Sequence, residues 1–192
     1  MILPILAYGE PVLKKVGKEV EKNHPNLQQL IADMFETMYS SKGVGLAAPQ
    51  VGQSIRLFIV DATGFSDGEE KEKYQHLKGF KKVFINPQII KESGDEWEFE
   101  EGCLSIPGIR EPIDRLPVVQ LQYYDENFVF HDEIFNGIPA RIIQHEYDHI
   151  EGILFVDHLN PLKRRLLKRK LNNISIGDVD VNYKMKFPQK KR

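Results

Sequence analysis

The segment His145-Glu146-Tyr147-Asp148-His149 holds the densest chemistry in the chain. On a helix, residues four apart share one face, so two imidazoles there can reach a single metal ion at about 2.0–2.1 Å each. Glu146 follows one position on, near such an ion but off the ligand line, where a general base belongs. The plainer reading is that both histidines only cap and pack. A catalytic ion needs a third protein ligand, and the sequence narrows the choice. The pattern that continues with Gly and then His finds Gly152 but ends on Phe155. The pattern that needs a remote downstream glutamate fails, because the last glutamate, Glu151, is too close. Asp157 and His158 remain available downstream. Cys103, in Glu101-Gly102-Cys103-Leu104-Ser105, is the better candidate. A thiolate binds zinc or ferrous iron strongly, and two His with one Cys leave a fourth position for water, as a catalytic site requires. Against this stands the usual fate of a lone cysteine, a small buried hydrophobe.

A third segment is Gly43-Val44-Gly45-Leu46-Ala47-Ala48-Pro49-Gln50. Its glycines loosely match a dinucleotide-binding fingerprint, with Asp61 downstream. That reading is rejected, since the glycines follow an expected helix rather than a strand, and Pro49 and Gly52 argue against a helix afterwards. A helix C-cap and turn would explain Gly43 but not Gln50.

These residues need elements to position them. Leu27, Leu30, Ile31, Met34, Phe35 and Met38 fall at helical spacing, so 27–40 reads as an amphipathic helix ending at Gly43. Residues 55–60, 83–90, 118–124 and part of 128–135 read as strands, with Asp125-Glu126-Asn127 as a hairpin turn. Residues 62–80, with Gly64, Gly68 and Gly79, read as a charged excursion. After Asn136-Gly137, Pro139 suits the first turn of a helix running to about Ile150. That helix carries the histidine motif. Asn160-Pro161 is an N-cap followed by Pro, opening a helix through about Leu171, and residues 179–187 alternate as a final strand. The fold class expected is α+β: antiparallel or mixed sheets packed around a central motif-bearing helix, then a basic helix and a last strand.

At 192 residues the chain makes one domain or a domain with an appendage. The division expected is a catalytic part over 1–159 and a basic helix and tail over 160–192. No run is long and apolar enough for a membrane span. The apolar start, Met1 to Ala7, lacks a preceding basic segment and makes a poor secretory signal. A single cysteine excludes an intrachain disulfide and fits a reducing compartment. Net charge is −2, unevenly spread. Residues 160–192 carry eleven basic and two acidic side chains, which leaves 1–159 strongly acidic. A basic tail on an acidic body suggests an anionic partner. Lys163, Arg164, Arg165, Lys168, Arg169 and Lys170 crowd one short helix, with Leu162, Leu166 and Leu167 as an apolar stripe for docking on the body. A solvated charged face is the competing reading.

Taken together, Gly43–Gln50, Glu101–Ser105 and Gln144–His149 resemble the three motifs of peptide deformylase, in order and spacing and without departure at any motif position. The resemblance covers roughly 1–160. The excursion at 62–80 and the part beyond about 173 exceed the shortest members. It implies removal of the formyl group from the N-terminal formyl-methionine of new polypeptides in the cytoplasm, with release of formate. It implies Cys103, His145 and His149 as ligands of one divalent ion, iron(II) by family habit, with zinc as the alternative. It implies Glu146 as the base, with the Gln50 amide and the Leu104 backbone N–H as donors to the oxyanion. Gly45 would lie beside an extended substrate peptide. Val44, Phe99 and Ile142 are candidates for the methionine pocket, though core packing explains them nearly as well. From its position, Arg110 would pair with Glu101, bind the substrate backbone or make a plain surface ion pair. The basic helix at 163–170 would dock on ribosomal RNA. Two other readings stand beside this one. A zinc endopeptidase would use Asp157 or His158 as ligand, and a binding module with a structural metal would supply a fourth protein ligand.

Overall fold

The computed structural model describes residues 1–67 and 71–189. Positions 68–70 of the charged excursion and 190–192 of the basic end lie outside them. In chain order the elements are β1 (Ile5–Leu6), α1 (Leu27–Ser40), β2 (Gly45–Ala47), β3 (Leu57–Asp61), α2 (Lys71–Tyr74), β4 (Lys81–Ser93), β5 (Trp97–Cys103), β6 (Ile106–Arg115), β7 (Val118–Tyr124), β8 (Phe130–Asn136), α3 (Gly137–Ile150), α4 (Pro161–Ser175) and β9 (Met185–Lys186). Five strands form an antiparallel sheet in the order β2-β3-β4-β7-β8. β5 and β6 make a separate hairpin, and β1 pairs with β9 in parallel.

Strand β3 shows why the sheet sits at the centre. All of Leu57 to Val60 is fully buried, and its side chains alternate between two faces. Phe58 and Val60 pack with Ile138, Ile142 and Ile143 of α3. Leu57 and Ile59 pack with Ile31, Met34 and Met38 of α1. The sheet is therefore covered by one helix on each face, which accounts for a continuous apolar run where a half-exposed strand would alternate. Strand β4 carries Pro87, which cannot donate to a ladder. The register against β7 shifts there, between Ile85 and Gln88. Asn86 takes the strained backbone (φ 48°), and its side-chain amide bonds both the N–H and the C=O of Val20.

Helix α3 is buried nearly all round, with Arg141, Gln144, Glu146 and His149 among its buried residues. It follows β8 directly. Gly137 turns the chain at φ 60°, and its N–H donates to the Pro117 carbonyl. Helix α4 opens as its sequence suggests, with the Asn160 side chain accepting from the Lys163 N–H. It runs one turn past the expected Leu171. Its docking stripe also differs from the expected one. Leu167, Leu171 and Ile174 are buried, whereas Leu162 and Leu166 are 68% and 73% exposed. The final strand is shorter than the alternation over 179–187 suggests. Only Met185 and Lys186 pair, because the neighbour available, β1, is itself two residues long. Val179, Met185 and Phe187 still face the core. Among the described residues, no helix is long and apolar enough to cross a membrane.

Candidate metal centre

Three donor side chains meet at the end of the β5–β6 hairpin. Cys103 ends β5, and His145 and His149 lie one turn apart on α3. One ligand atom from each falls within 4.8 Å of the others, and no other residue joins this group among those described. Cys103 Sγ lies 3.3 Å from His149 Nε2. Bonds of about 2.0–2.1 Å to nitrogen and 2.3 Å to sulphur, at a tetrahedral angle, would separate neighbouring donors by about 3.5 Å. The donor set therefore fits a small divalent cation. His145 Nδ1 donates to Glu101 Oε2 at 2.9 Å, which turns Nε2 inward. A carboxylate behind a ligating imidazole is the usual means of fixing its tautomer and ring.

The surrounding charges also fit a cation. Burial alone would pull His145 down, but its contacts with Cys103 and Glu101 lift it well above the ordinary imidazole value. The pair thus draws positive charge to this point. His149 is pushed well below its ordinary value by burial, with His145 adding to the effect, so it is neutral and able to ligate. Burial alone would raise Glu101, but bonds to His145 and Arg115 hold it below the carboxylate range. Arg115 grips both of its oxygens at 2.7 and 3.0 Å, and Arg141 adds a bond of 3.0 Å. Arg115 also bridges to Asp148 at 2.8 Å, tying the hairpin to the motif helix.

Glu146 faces the cleft beside this group. It is 4% exposed, and its Oε2 is buried without a hydrogen-bond partner among the described residues. Burial pushes its carboxyl up to about 7, against the pull of His145. A pKa near neutrality suits a group that must take a proton and later return it. Gly45 leaves the room Glu146 needs. A Cβ there would stand 2.8 Å from both Cγ and Cδ of Glu146, and closer still to Oε1.

Gln50 is aimed by its own backbone neighbourhood. The Ala47 N–H donates to Oε1 at 2.8 Å, so the amide nitrogen must point the other way. There it lies 3.4 Å from Cys103 Sγ and 3.2 Å from Ser105 Oγ. The Gly43–Gln50 segment is a strand, β2, running into a 3-10 turn, rather than only a helix cap. A cleft of about 930 Å³ opens over the centre. Its lining includes Val44, Gly45, Gln50, Phe99, Cys103, Leu104, Arg110, Ile142, His145 and Glu146. All the candidate site residues thus come together, His149 lying buried beneath the cleft.

Two alternatives fail on position. Asp157 is engaged by Lys14, the Leu154 N–H and Arg164, and His158 bonds Asp148 Oδ2 at 2.8 Å. Neither belongs to the donor group. Of the readings of Arg110, the pairing with Glu101 is not found, and the plain surface ion pair is. Arg110 bonds Glu100 at 2.6 Å on the exposed rim, because Glu101 is already saturated by Arg115, Arg141 and His145. The sequence reading missed both buried arginines. Arg141 had a signal, lying four residues before His145 on the same helical face; Arg115 had none nearby.

A family model described as Polypeptide deformylase matches residues 2–165. The chain is 56% identical to a peptide deformylase of Christiangramia forsetii, over 100% of this chain and 99% of that one. It is 54% identical to a peptide deformylase of Flavobacterium johnsoniae at the same coverage. Among solved structures, a peptide deformylase from Legionella pneumophila superposes with a TM-score of 0.78 at 41% identity, covering 93% of this chain and 98% of that one. One from Thermus thermophilus gives 0.78 at 36% identity, covering 91% and 98%.

Proposed function

The chain belongs to the polypeptide deformylase family and removes the formyl group from the N-terminal formyl-methionine of nascent polypeptides; from that premise we propose that Cys103, His145 and His149 hold the family's divalent metal ion and that Glu146 is its proton carrier. The convergence of three donor atoms within 4.8 Å carries this reading. Iron(II) is the ion proposed, and the same donors would accept zinc. Such an ion, when bound, acts as a Lewis acid that lowers the pKa of a water and polarises the formyl oxygen.

The protein's own groups do the rest. Glu146 takes the proton of the attacking water and passes it to the leaving amine. Gln50 Nε2, held outward by the Ala47 N–H, and the Leu104 N–H donate to the oxyanion as charge develops. Such a preorganised donor is worth about 3–4 kcal/mol in the transition state. Formate and a free N-terminal methionine result. The substrate lies extended along Val44 and Gly45, a sequence-tolerant mode that suits many nascent chains. Val44, Phe99 and Ile142, with Ile138 beside them in the cleft lining, take the methionine side chain. Arg110 exchanges its exposed Glu100 partner for substrate backbone.

Formate release from a formyl-methionyl peptide, with no cleavage of an acetylated or internal-bond peptide, tests the reading. Glu146→Ala keeps the metal and loses turnover; Cys103→Ala loses metal affinity. Full metal content and turnover in Cys103→Ala would overturn the ligand assignment.

Residues 160–192 are read as a basic helix and tail that either belongs to the same domain as the catalytic part, 1–159, or is appended to it, and the packing of Leu167, Leu171 and Ile174 into one core cluster with Leu6, Leu13, Ile106 and Ile109 supports a single domain. The basic face of α4 docks on ribosomal RNA in the cytoplasm, where phosphate contacts supply affinity. The exposure of Leu162 and Leu166 beside these cations favours contact over a purely solvated face. Ribosome binding across a salt series, with Lys163–Lys170 intact and neutralised, tests this; equal, salt-independent binding would remove it.

A further inference from the structure

The cleft has a wall from outside the residues that the family model matches. Asp180, Val181, Asn182 and Tyr183 line it together with Gly45, Gln50, Leu104 and Glu146, whereas the match ends at residue 165. This segment is seated by its own interactions. The Ile5 N–H donates to the Lys184 carbonyl and the Ala7 N–H to the Lys186 carbonyl, both at 2.9 Å. Met185 and Phe187 pack into the core behind α4. The Tyr183 ring, so placed, packs beside Leu104 against the core under α1. Its hydroxyl donates to the Leu104 carbonyl at 2.8 Å.

That carbonyl belongs to a crowded turn. Leu104 and Ser105 form a two-residue connection closed by the pairing of Cys103 with Ile106. The turn carries a proposed metal ligand and a proposed oxyanion donor side by side. Ser105 is anchored at both ends, its carbonyl accepting from the Tyr8 N–H at 2.8 Å and its hydroxyl from Gln50. The Leu104 side chain rests where Gly43 has no Cβ; a Cβ there would stand 2.8 Å from Leu104 Cδ1. Tyr183 supplies an anchor on the middle residue. In a turn this short the two peptide planes cannot rotate independently, so holding the Leu104 carbonyl also aims the Leu104 N–H.

We propose that Tyr183 is a positioning residue for deformylation: its hydroxyl holds the Leu104 turn so that the Leu104 N–H points at the developing oxyanion, which makes residues 180–183 part of the working cleft. The inference rests on the donor role proposed above for Leu104. Burial pushes the Tyr183 hydroxyl up to about 12, so it remains a donor throughout the working pH range.

The test compares Tyr183→Phe and Tyr183→Leu with the parent full chain, metal-loaded, on one formyl-methionyl peptide. Tyr183→Phe keeps the ring packing and removes one hydrogen bond, so kcat falls roughly fivefold while KM stays within about twofold. Metal content is unchanged, and Tyr183→Leu falls at least as far. Full kcat in Tyr183→Phe would overturn the proposal, since ring packing would then suffice. A loss carried by KM or by metal content would overturn it too, since the donor would not be the group disturbed. Gln50→Ala, measured alongside, separates the two layers. A fall there with no change in Tyr183→Phe defeats the Tyr183 proposal alone, whereas no change in either removes the oxyanion reading and the proposal with it.

Discussion

Gly45→Ala probes the geometry of Glu146 without touching its chemistry. The added Cβ would lie 2.8 Å from Cγ and Cδ of Glu146, about 0.6 Å short of the 3.4 Å at which ordinary contact begins. Glu146 sits on a helix buried nearly all round, so its backbone cannot retreat cheaply. The carboxylate must therefore move by at least that 0.6 Å, since Oε1 would be closer still to the new Cβ. A misplacement of about 1 Å costs on the order of a hundredfold in rate, so kcat falls between roughly tenfold and a hundredfold. Overpacking should also cost about 1–3 kcal/mol of stability. Metal content stays full, because the three atoms nearest the added Cβ all belong to Glu146 and none to Cys103, His145 or His149. Steady-state formate release, read as separate kcat and KM, decides the matter. Were Gly45 needed only for close approach of substrate backbone, KM would rise and kcat would hold. An unchanged kcat would refute the packing argument.

Glu101→Gln leaves the buried Arg141 guanidinium without its carboxylate partner and Arg115 with Asp148 alone, which costs about 3–5 kcal/mol and weakens metal affinity roughly 10- to 100-fold through His145. Chemical denaturation and competition with a chelator measure the two effects. Because the folded Glu101 titrates below its ordinary value of 4.5, its ion pairs stabilise fully above that pH and are lost as pH falls through the folded value. The stability gap between parent and Glu101→Gln should accordingly be level near neutrality and narrow in acid; a gap that widens in acid would contradict the assignment. Gln50→Ala should lower kcat by about 10²–10³ with little change in KM, the mark of a donor used only in the transition state.

The helical half of this site was legible because its signals are local. The His145–His149 spacing, the Pro139 start and the Asn160 cap each depend on residues within one or two turns. Cys103 was legible as a candidate ligand from its thiol chemistry and Gln50 only as a motif residue, while their meeting with α3 is set by the β5–β6 hairpin and by β2. That hairpin was hidden by composition. Trp97, Phe99 and Glu101 alternate inward against exposed Glu98 and Glu100, but three glutamates among these five residues hide the alternation. Glu101 is buried among two arginines and a histidine, a network of residues as far apart as 101 and 145 that periodicity cannot reveal. Residues 179–187 misled in the other direction. Their alternation reports one buried face, and a long strand additionally needs a neighbour of equal length.

X-ray absorption at the metal edge, on protein purified without oxygen, tests the central claim most directly. One sulphur at about 2.3 Å and two imidazole nitrogens at about 2.0–2.1 Å, with the sulphur shell lost in Cys103→Ala, is the predicted spectrum. A metal surrounded by nitrogen and oxygen alone in the parent protein would contradict it.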